Sequence, residues 1–158
     1  MTPGRRASDQ TAPIRRAGPS DDSAVLGLLE AAGLPVAGVL PTLPDFYVAE
    51  GDGRLVGAAG LELYDRDALL RSVVVESSMR GSGLGVALVE RILEHARERD
   101  LRAVYLLTTT ADGYFPRFGF GRITREQVPE SVKTSVEFRD ACPASAVAMR
   151  KVLEPVRP

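Results

Sequence analysis

The sequence predicts an α/β (α+β) fold: a mixed central sheet with helices packed on it. Residues 68–75, 86–99 and 103–108 form a strand-like run, an amphipathic stretch and a second strand-like run. That succession is a strand–crossover–strand unit, which places its two strands parallel. Residues 46–50 and Arg54–Tyr64 flank Gly51-Asp52-Gly53 and read as a hairpin, hence antiparallel. At 158 residues, 44% hydrophobic and 26% charged, the chain has the size and composition of one globular domain.

The elements follow in order. Residues 1–12 are polar and aperiodic, which suggests a disordered tail. A single domain would span 13–153, with 154–158 a short C-terminal tail. Residues 14–17 make a short strand. Gly18-Pro19-Ser20-Asp21-Asp22 stops it and starts a helix whose apolar face is Val25, Leu26, Leu28 and Leu29, ended by Gly33. Pro35, Gly38, Pro41 and Pro44 make 34–45 a loop or a broken helix. After the hairpin, Asp65-Arg66-Asp67 turns into the strand 68–75. Its end, Val73-Val74-Val75, is apolar on both faces, as in the middle of a sheet. The helix 86–99 carries Leu88, Ile92, Leu93 and Ala96 on one side and Glu90, Arg91, Glu94, Arg97 and Glu98 on the other. Asp100 closes it. A short helix at 111–118 ends at Gly119, a strand covers 120–123, helical turns surround Pro129, and 144–152 is the closing strand.

Charge and composition exclude several functions. Lys and Arg total 20 against 21 Asp and Glu, a formal charge of −1, so there is no general attraction to nucleic acid or an anionic membrane. No apolar run is long enough to span a bilayer, and the first thirteen residues lack the apolar core of a secretory signal. With one cysteine, Cys142, and one histidine, His95, an intrachain disulfide, a cysteine zinc cluster and a histidine metal site are all unexpected. A reducing cytoplasm fits. His95 reads as a surface or helix-packing residue. Cys142 reads as a buried thiol, or as one paired across a homodimer.

The stretch Arg80-Gly81-Ser82-Gly83-Leu84-Gly85-Val86 lies between a buried strand and a helix. Glycines there let backbone N–H groups approach an anion closely, and the helix start adds unpaired donors and a partial positive charge. A phosphate or pyrophosphate is the expected ligand. A nucleotide P-loop would need Lys-Ser/Thr after the last glycine, where Val86-Ala87 stand. A dinucleotide fingerprint would need a glycine at Val86.

What remains is Val75, then Arg80-Gly81-Ser82-Gly83-Leu84-Gly85. This resembles motif A of the GCN5-related N-acetyltransferases (the GNAT superfamily), with Ser77 where that motif usually has proline. Gly113-Tyr114-Phe115-Pro116-Arg117-Phe118-Gly119-Phe120 resembles motif B. At finer grain the chain is similar to the N-acetyltransferases of bacterial arsenic-resistance operons, through Leu106-Leu107-Thr108-Thr109-Thr110-Ala111, Glu137-Phe138, Cys142-Pro143-Ala144-Ser145-Ala146 and Met149-Arg150-Lys151.

The resemblance implies a sheet splayed between the parallel strands 68–75 and 103–108, with acetyl-CoA as co-substrate in the opening and no metal. Val73, Val74 and Val75 would bind the pantetheine arm like an added strand. The Val73 N–H would face the thioester oxygen. Arg80, Gly81, Ser82, Gly83, Leu84, Gly85 and Val86 would cradle the pyrophosphate. Thr108 would touch the CoA arm or cap the next helix. The family's usual general-acid tyrosine falls on Phe115, which has no proton to give. Phe115 would pack on the cofactor arm or the core, while the adjacent Tyr114 is either the acid or a packing aromatic. Arg71 and Ser72 interrupt an apolar run. Arg71 would clamp an acceptor's anionic group, or would reach solvent from the sheet's outer face. Glu50, Glu62 and Glu76 are the candidate bases, or else solvated charges at the sheet's edge, with the proton then taken through water. The implied activity is acetyl transfer to a small primary amine, an amino acid or amino-acid-like toxin. A catalytically inert acyl-CoA sensor and a protein-amine acetyltransferase are the alternatives.

Overall fold

A computed structural model describes residues 12–141 and 145–154. The expectations for Cys142, for the tail before residue 12 and for the tail beyond 154 lie outside the described residues. Ala12, which the sequence reading placed in the tail, is buried beside Gly51.

Seven strands form one sheet: β1 (Ile14–Arg16), β2 (Phe46–Gly51), β3 (Arg54–Tyr64), β4 (Asp67–Val75), β5 (Ala103–Thr108), β6 (Gly121–Ile123) and β7 (Val147–Val152). Their order is β1-β2-β3-β4-β5-β7-β6. β1–β2, β2–β3, β5–β7 and β6–β7 are antiparallel. β4 and β5 are parallel, as the crossover required. Their register runs Asp67↔Ala103, Ala68↔Val104, Leu69↔Tyr105, while β4 continues to Val75 and β5 to Thr108. The helices are α1 (Asp22–Ala31), α2 (Val39–Thr42), α3 (Leu84–Glu98) and α4 (Glu130–Lys133).

The chain divides into two compact units. One comprises the described part of Met1–Gly60 together with Ser72–Ile92. Its core joins Val25 and Leu29 of α1, Val39 of α2, Phe46 and Val48 of β2, Ala58 of β3 and Val74 of β4. Asp21 precedes α1, accepts the Gly18 N–H at 2.7 Å and pairs with Arg15 at 2.8 Å. The Arg15 guanidinium holds the Asp21 carboxyl below its usual pKa. Gly57 of β3 lets Leu84 and Leu88 of α3 approach closely: a methyl there would sit 2.9 Å from a Leu88 carbon.

The other unit comprises Leu61–Arg71 and the described part of Leu93–Pro158. Its core joins Leu69, Ala103, Tyr105, Val128, Val132 and Ala148. Asp67, at the start of β4, is buried and receives the exposed Arg102 side chain at 2.7 Å.

Four expectations are corrected. α3 starts at Leu84 rather than 86, because Gly83 C=O already accepts the Ala87 N–H at 3.1 Å and Ser82 Oγ receives the Leu84 N–H at 3.3 Å. The expected helix 111–118 is a 3-10 turn at Phe115–Phe118, ended by Gly119 at φ 97°. The closing strand begins at Val147 rather than 144. Val74 is buried, but Val73 and Val75 are only half-buried. Ser72 has φ 62° within the strand, and this left-handed residue ends a run of six buried positions, Asp67 to Ser72.

Candidate active site

The glycine segment opens α3 in the first unit. Gly81 and Gly83 have φ of 84° and 90°, a region where a side chain is strained. A Cβ on either would meet nothing within 4 Å. Their backbone, rather than crowding, therefore dictates glycine, with open space beside both. Ser82 Oγ donates to Met79 C=O at 2.6 Å and accepts the Leu84 N–H, which ties the loop down. The next donors, Gly85 and Val86 N–H, lie in the first turn, where no intrahelical acceptor exists. Arg80 is exposed beside them. Donors, positive helix end and guanidinium together suit a phosphate.

In the second unit the strands bring together side chains that the sequence reading treated separately. Arg71 is fully enclosed, so the expected escape to solvent from the outer face does not occur. Its Nη1 donates to Glu62 Oε2 at 2.7 Å, and its Nε lies 3.5 Å from Glu137 Oε2. A substrate carboxylate would have to displace one of these partners. Glu62 Oε1 accepts the Tyr64 hydroxyl at 2.6 Å. Burial, with that bond, pushes the Tyr64 phenol upward, so it remains a proton donor. Glu137 lies in a π-helical turn, Glu137–Ala141. Burial pushes its carboxyl to about 7, with Arg71 opposing and Glu62 adding to the rise. Ser72, the other residue expected to face the acceptor, is buried next in the chain.

The aromatic turn is also in the second unit. Phe115 is buried, and its ring meets Phe118 and Phe120 at 6.3 and 5.8 Å, so it packs in the core. Tyr114 is half-buried, edge-on to Phe115 and Phe118, with the Arg117 guanidinium 4.3 Å above its ring. Thr108 ends β5 and its Oγ1 accepts the Ala111 N–H at 2.9 Å, a bond within the loop rather than a helix cap, since the next helical turn starts at Phe115.

The other candidate bases are engaged. Glu76 is gripped by Arg54 at 2.5 Å and by Ser78 at 2.6 Å, which hold its carboxyl well below the usual range. Glu50 is exposed and pairs with Arg15 at 3.2 Å. His95 is buried on α3, the packing role expected of it. The sequence reading missed Glu137 and Tyr64 as members of the cluster. The isolated charge at Arg71 was the available signal, since a buried guanidinium requires carboxylate partners. Among the described residues, no group of His, Cys, Asp and Glu is gathered so as to hold a metal ion, and no helix is long and apolar enough to cross a membrane.

Residues 34–120 match the Acetyltransferase (GNAT) family. An amino-acid acetyltransferase of Mycobacterium tuberculosis is 31% identical over 151 residues, covering 89% of this chain and 83% of that protein. An uncharacterized N-acetyltransferase of Chlorobaculum tepidum is 30% identical over 122 residues, 75% of this chain and 77% of that one. The crystal structure of Rv2747 from Mycobacterium tuberculosis in complex with CoA superposes with a TM-score of 0.77 at 27% identity, covering 90% of this chain and 99% of that one.

Proposed function

The chain belongs to the GNAT family of acetyltransferases, and on that premise we propose that it transfers acetyl from acetyl-CoA to the amine of a free amino acid or amino-acid-like molecule. The observation that carries the donor is the pair of left-handed glycines, Gly81 and Gly83, which present the first-turn N–H groups of α3 over open space. In this reading Arg80 to Val86 bind the pyrophosphate through those groups. In the same reading the backbone of Val73 to Val75 pairs with the pantetheine arm, and the Val73 N–H donates to the acyl oxygen as negative charge gathers there. Acetyl-CoA supplies an activated acyl group on a thiol leaving group. Residues 13–153 serve as one catalytic domain.

The amino-acid acceptor is supported by the relative named as an amino-acid acetyltransferase, which this chain matches over most of both lengths. The 106–111 and 137–151 segments narrow the reading toward amino-acid-like toxins of the arsenic-resistance type. Arg71 and Ser72 stand on β4 just before Val73, and in this reading they face the acceptor. Tyr114 is the proton donor to the departing thiolate, its ring fixed between two phenylalanines and Arg117.

Thiol release from acetyl-CoA, measured across a panel of free amino acids and phosphinate- or arsenate-bearing analogues, tests the acceptor class. Turnover with at least one such amine is expected, and none would sink the reading. In the same assay Tyr114→Phe is expected to lower kcat about 10²-fold without changing acetyl-CoA affinity. An unchanged kcat removes Tyr114 from the chemistry.

A further inference from the structure

A loop that leans on glycines is easy to shape and costly to order. Gly81 and Gly83 have φ of 84° and 90° with open space beside both, and residues without a side chain lose the most freedom when a ligand orders them. The affinity of such a loop depends on how well its flanks hold it in shape beforehand. On the helix side Ser82 does this, through Met79 C=O and the Leu84 N–H. On the strand side the anchor is Glu76. Its N–H donates to Val56 C=O at 2.8 Å, and its C=O accepts the Met79 N–H at 2.8 Å, which opens the 3-10 turn Ser77–Met79. Its carboxylate is held from two directions. Arg54, the first residue of β3, donates from Nη2 to Oε1 at 2.5 Å and from Nε to Oε2 at 3.1 Å. Ser78 Oγ, inside the turn, donates to Oε1 at 2.6 Å.

We propose that Arg54 and Glu76 are positioning residues for acetyl-CoA: their ion pair, with Ser78, fixes the turn that leads into Arg80–Gly85 and so sets the affinity of that loop for the donor. The proposal rests on the reading that seats the pyrophosphate there. Every residue involved belongs to the first unit.

The bonds form an unbroken path. It runs from Arg54 and Val56 on β3 to Glu76, from Glu76 to Ser78 and Met79, from Met79 to Ser82, and from Ser82 to Leu84 at the start of α3. An isolated surface ion pair contributes little. This one is a two-pronged fork on a carboxylate that a third donor shares, which is the stronger geometry, and the Glu76 side chain is only 27% exposed. The same bonds hold its carboxyl down at about 2, so Glu76 stays ionised in any ordinary assay and is a poor base. The pair also separates two accounts by sign. If charge acted directly on the pyrophosphate, removing the Arg54 cation would weaken binding and removing the Glu76 anion would strengthen it. A clamp gives the same sign for both.

The test measures acetyl-CoA affinity by calorimetry at neutral pH for the full chain, Arg54→Gln, Glu76→Gln and the double variant. Each single variant is expected to weaken binding about 3- to 10-fold. The double variant goes no further than the worse single, because both changes break one clamp. Arg54→Lys restores part of the affinity, since an ammonium cannot reproduce the fork. Ser78→Ala, which changes no charge, weakens binding in the same direction but less. In steady-state kinetics KM for acetyl-CoA rises by the same factor in each variant and KM for the acceptor does not. Circular dichroism checks folding; should a Gln variant fail to fold, Arg54→Lys and Ser78→Ala decide. Affinity in Glu76→Gln equal to or tighter than wild type overturns the clamp. So does a fall in its kcat with acetyl-CoA affinity unchanged, which would make Glu76 the base. Gly83→Ala, measured alongside, keeps the two failures apart. Weaker binding there with none lost in Glu76→Gln overturns the clamp alone, whereas unchanged affinity in Gly83→Ala overturns the seating of the pyrophosphate and the clamp with it.

Discussion

Burial of Glu137 has a cost that shows in stability. Its folded pKa, about 7, lies above the ordinary 4.5. The unfolded chain therefore releases its proton first as pH rises, and the folded state loses ground between those two values. The stabilisation is complete below the ordinary pKa and gone above the folded one, a loss on the order of 3 kcal/mol at 1.36 kcal/mol per unit. Urea midpoints of the wild type should thus fall, relative to Glu137→Gln, between about pH 5 and 8. Parallel pH curves for the two proteins would show that Glu137 ionises freely. The sequence could not display this group. Arg71 is visibly misplaced within an apolar run, but Glu62, Tyr64 and Glu137 are joined to it only by folding, and Glu137 comes from a segment read as vague turns around Pro129. Ser72 was equally silent: nothing in its identity announces φ 62° inside a strand, a conformation that costs roughly 1–2 kcal/mol for a residue with a side chain.

Single glycines separate two kinds of constraint at the level of elements. Gly60 of β3 has no room for a methyl, because a Cβ would enter the ring of Phe46, which is fully buried. Gly60→Ala should lower stability by about 1–3 kcal/mol. Gly83 has open space but φ 90°. Gly83→Ala should cost about 1–2 kcal/mol in backbone strain, stay folded, and weaken acetyl-CoA binding beyond that loss, since the methyl enters the anion's side of the loop. Thermal melts and calorimetry with acetyl-CoA separate the two. A Gly83→Ala protein with unchanged affinity would mean that the loop does not hold the pyrophosphate. The elements themselves were largely legible. Arg54–Tyr64 and Ala103–Thr108 begin and end where their apolar runs and flanking turn residues placed them, and the stripe Leu88, Ile92, Leu93 and Ala96 is buried as a helical period requires. Boundaries slipped where local hydrogen bonds decide them. Ser82 and Gly83 start α3 early, and the aromatic turn winds as 3-10 because Pro116 and Gly119 leave it no room for a full helix.

At the scale of the molecule, the two compact units are not consecutive stretches of chain. The boundary between them falls within β3 at Gly60 and Leu61, within β4 at Arg71 and Ser72, and within α3 at Ile92 and Leu93. Three regular elements therefore lose part of their length if either unit unfolds alone. A strand cut at its middle leaves backbone donors and acceptors without their ladder partners, and each such buried group is costly. The expected behaviour is a single cooperative unfolding transition for residues 13–153, with far-UV circular dichroism, tyrosine fluorescence and calorimetry coincident and the calorimetric enthalpy equal to the van't Hoff value. If the glycine loop holds acetyl-CoA as proposed, the ligand should shift that one transition upward as a whole, by an amount set by its concentration over Kd. Two resolved transitions, or an acetyl-CoA shift confined to amides of the first unit in hydrogen exchange, would show that the units fold independently.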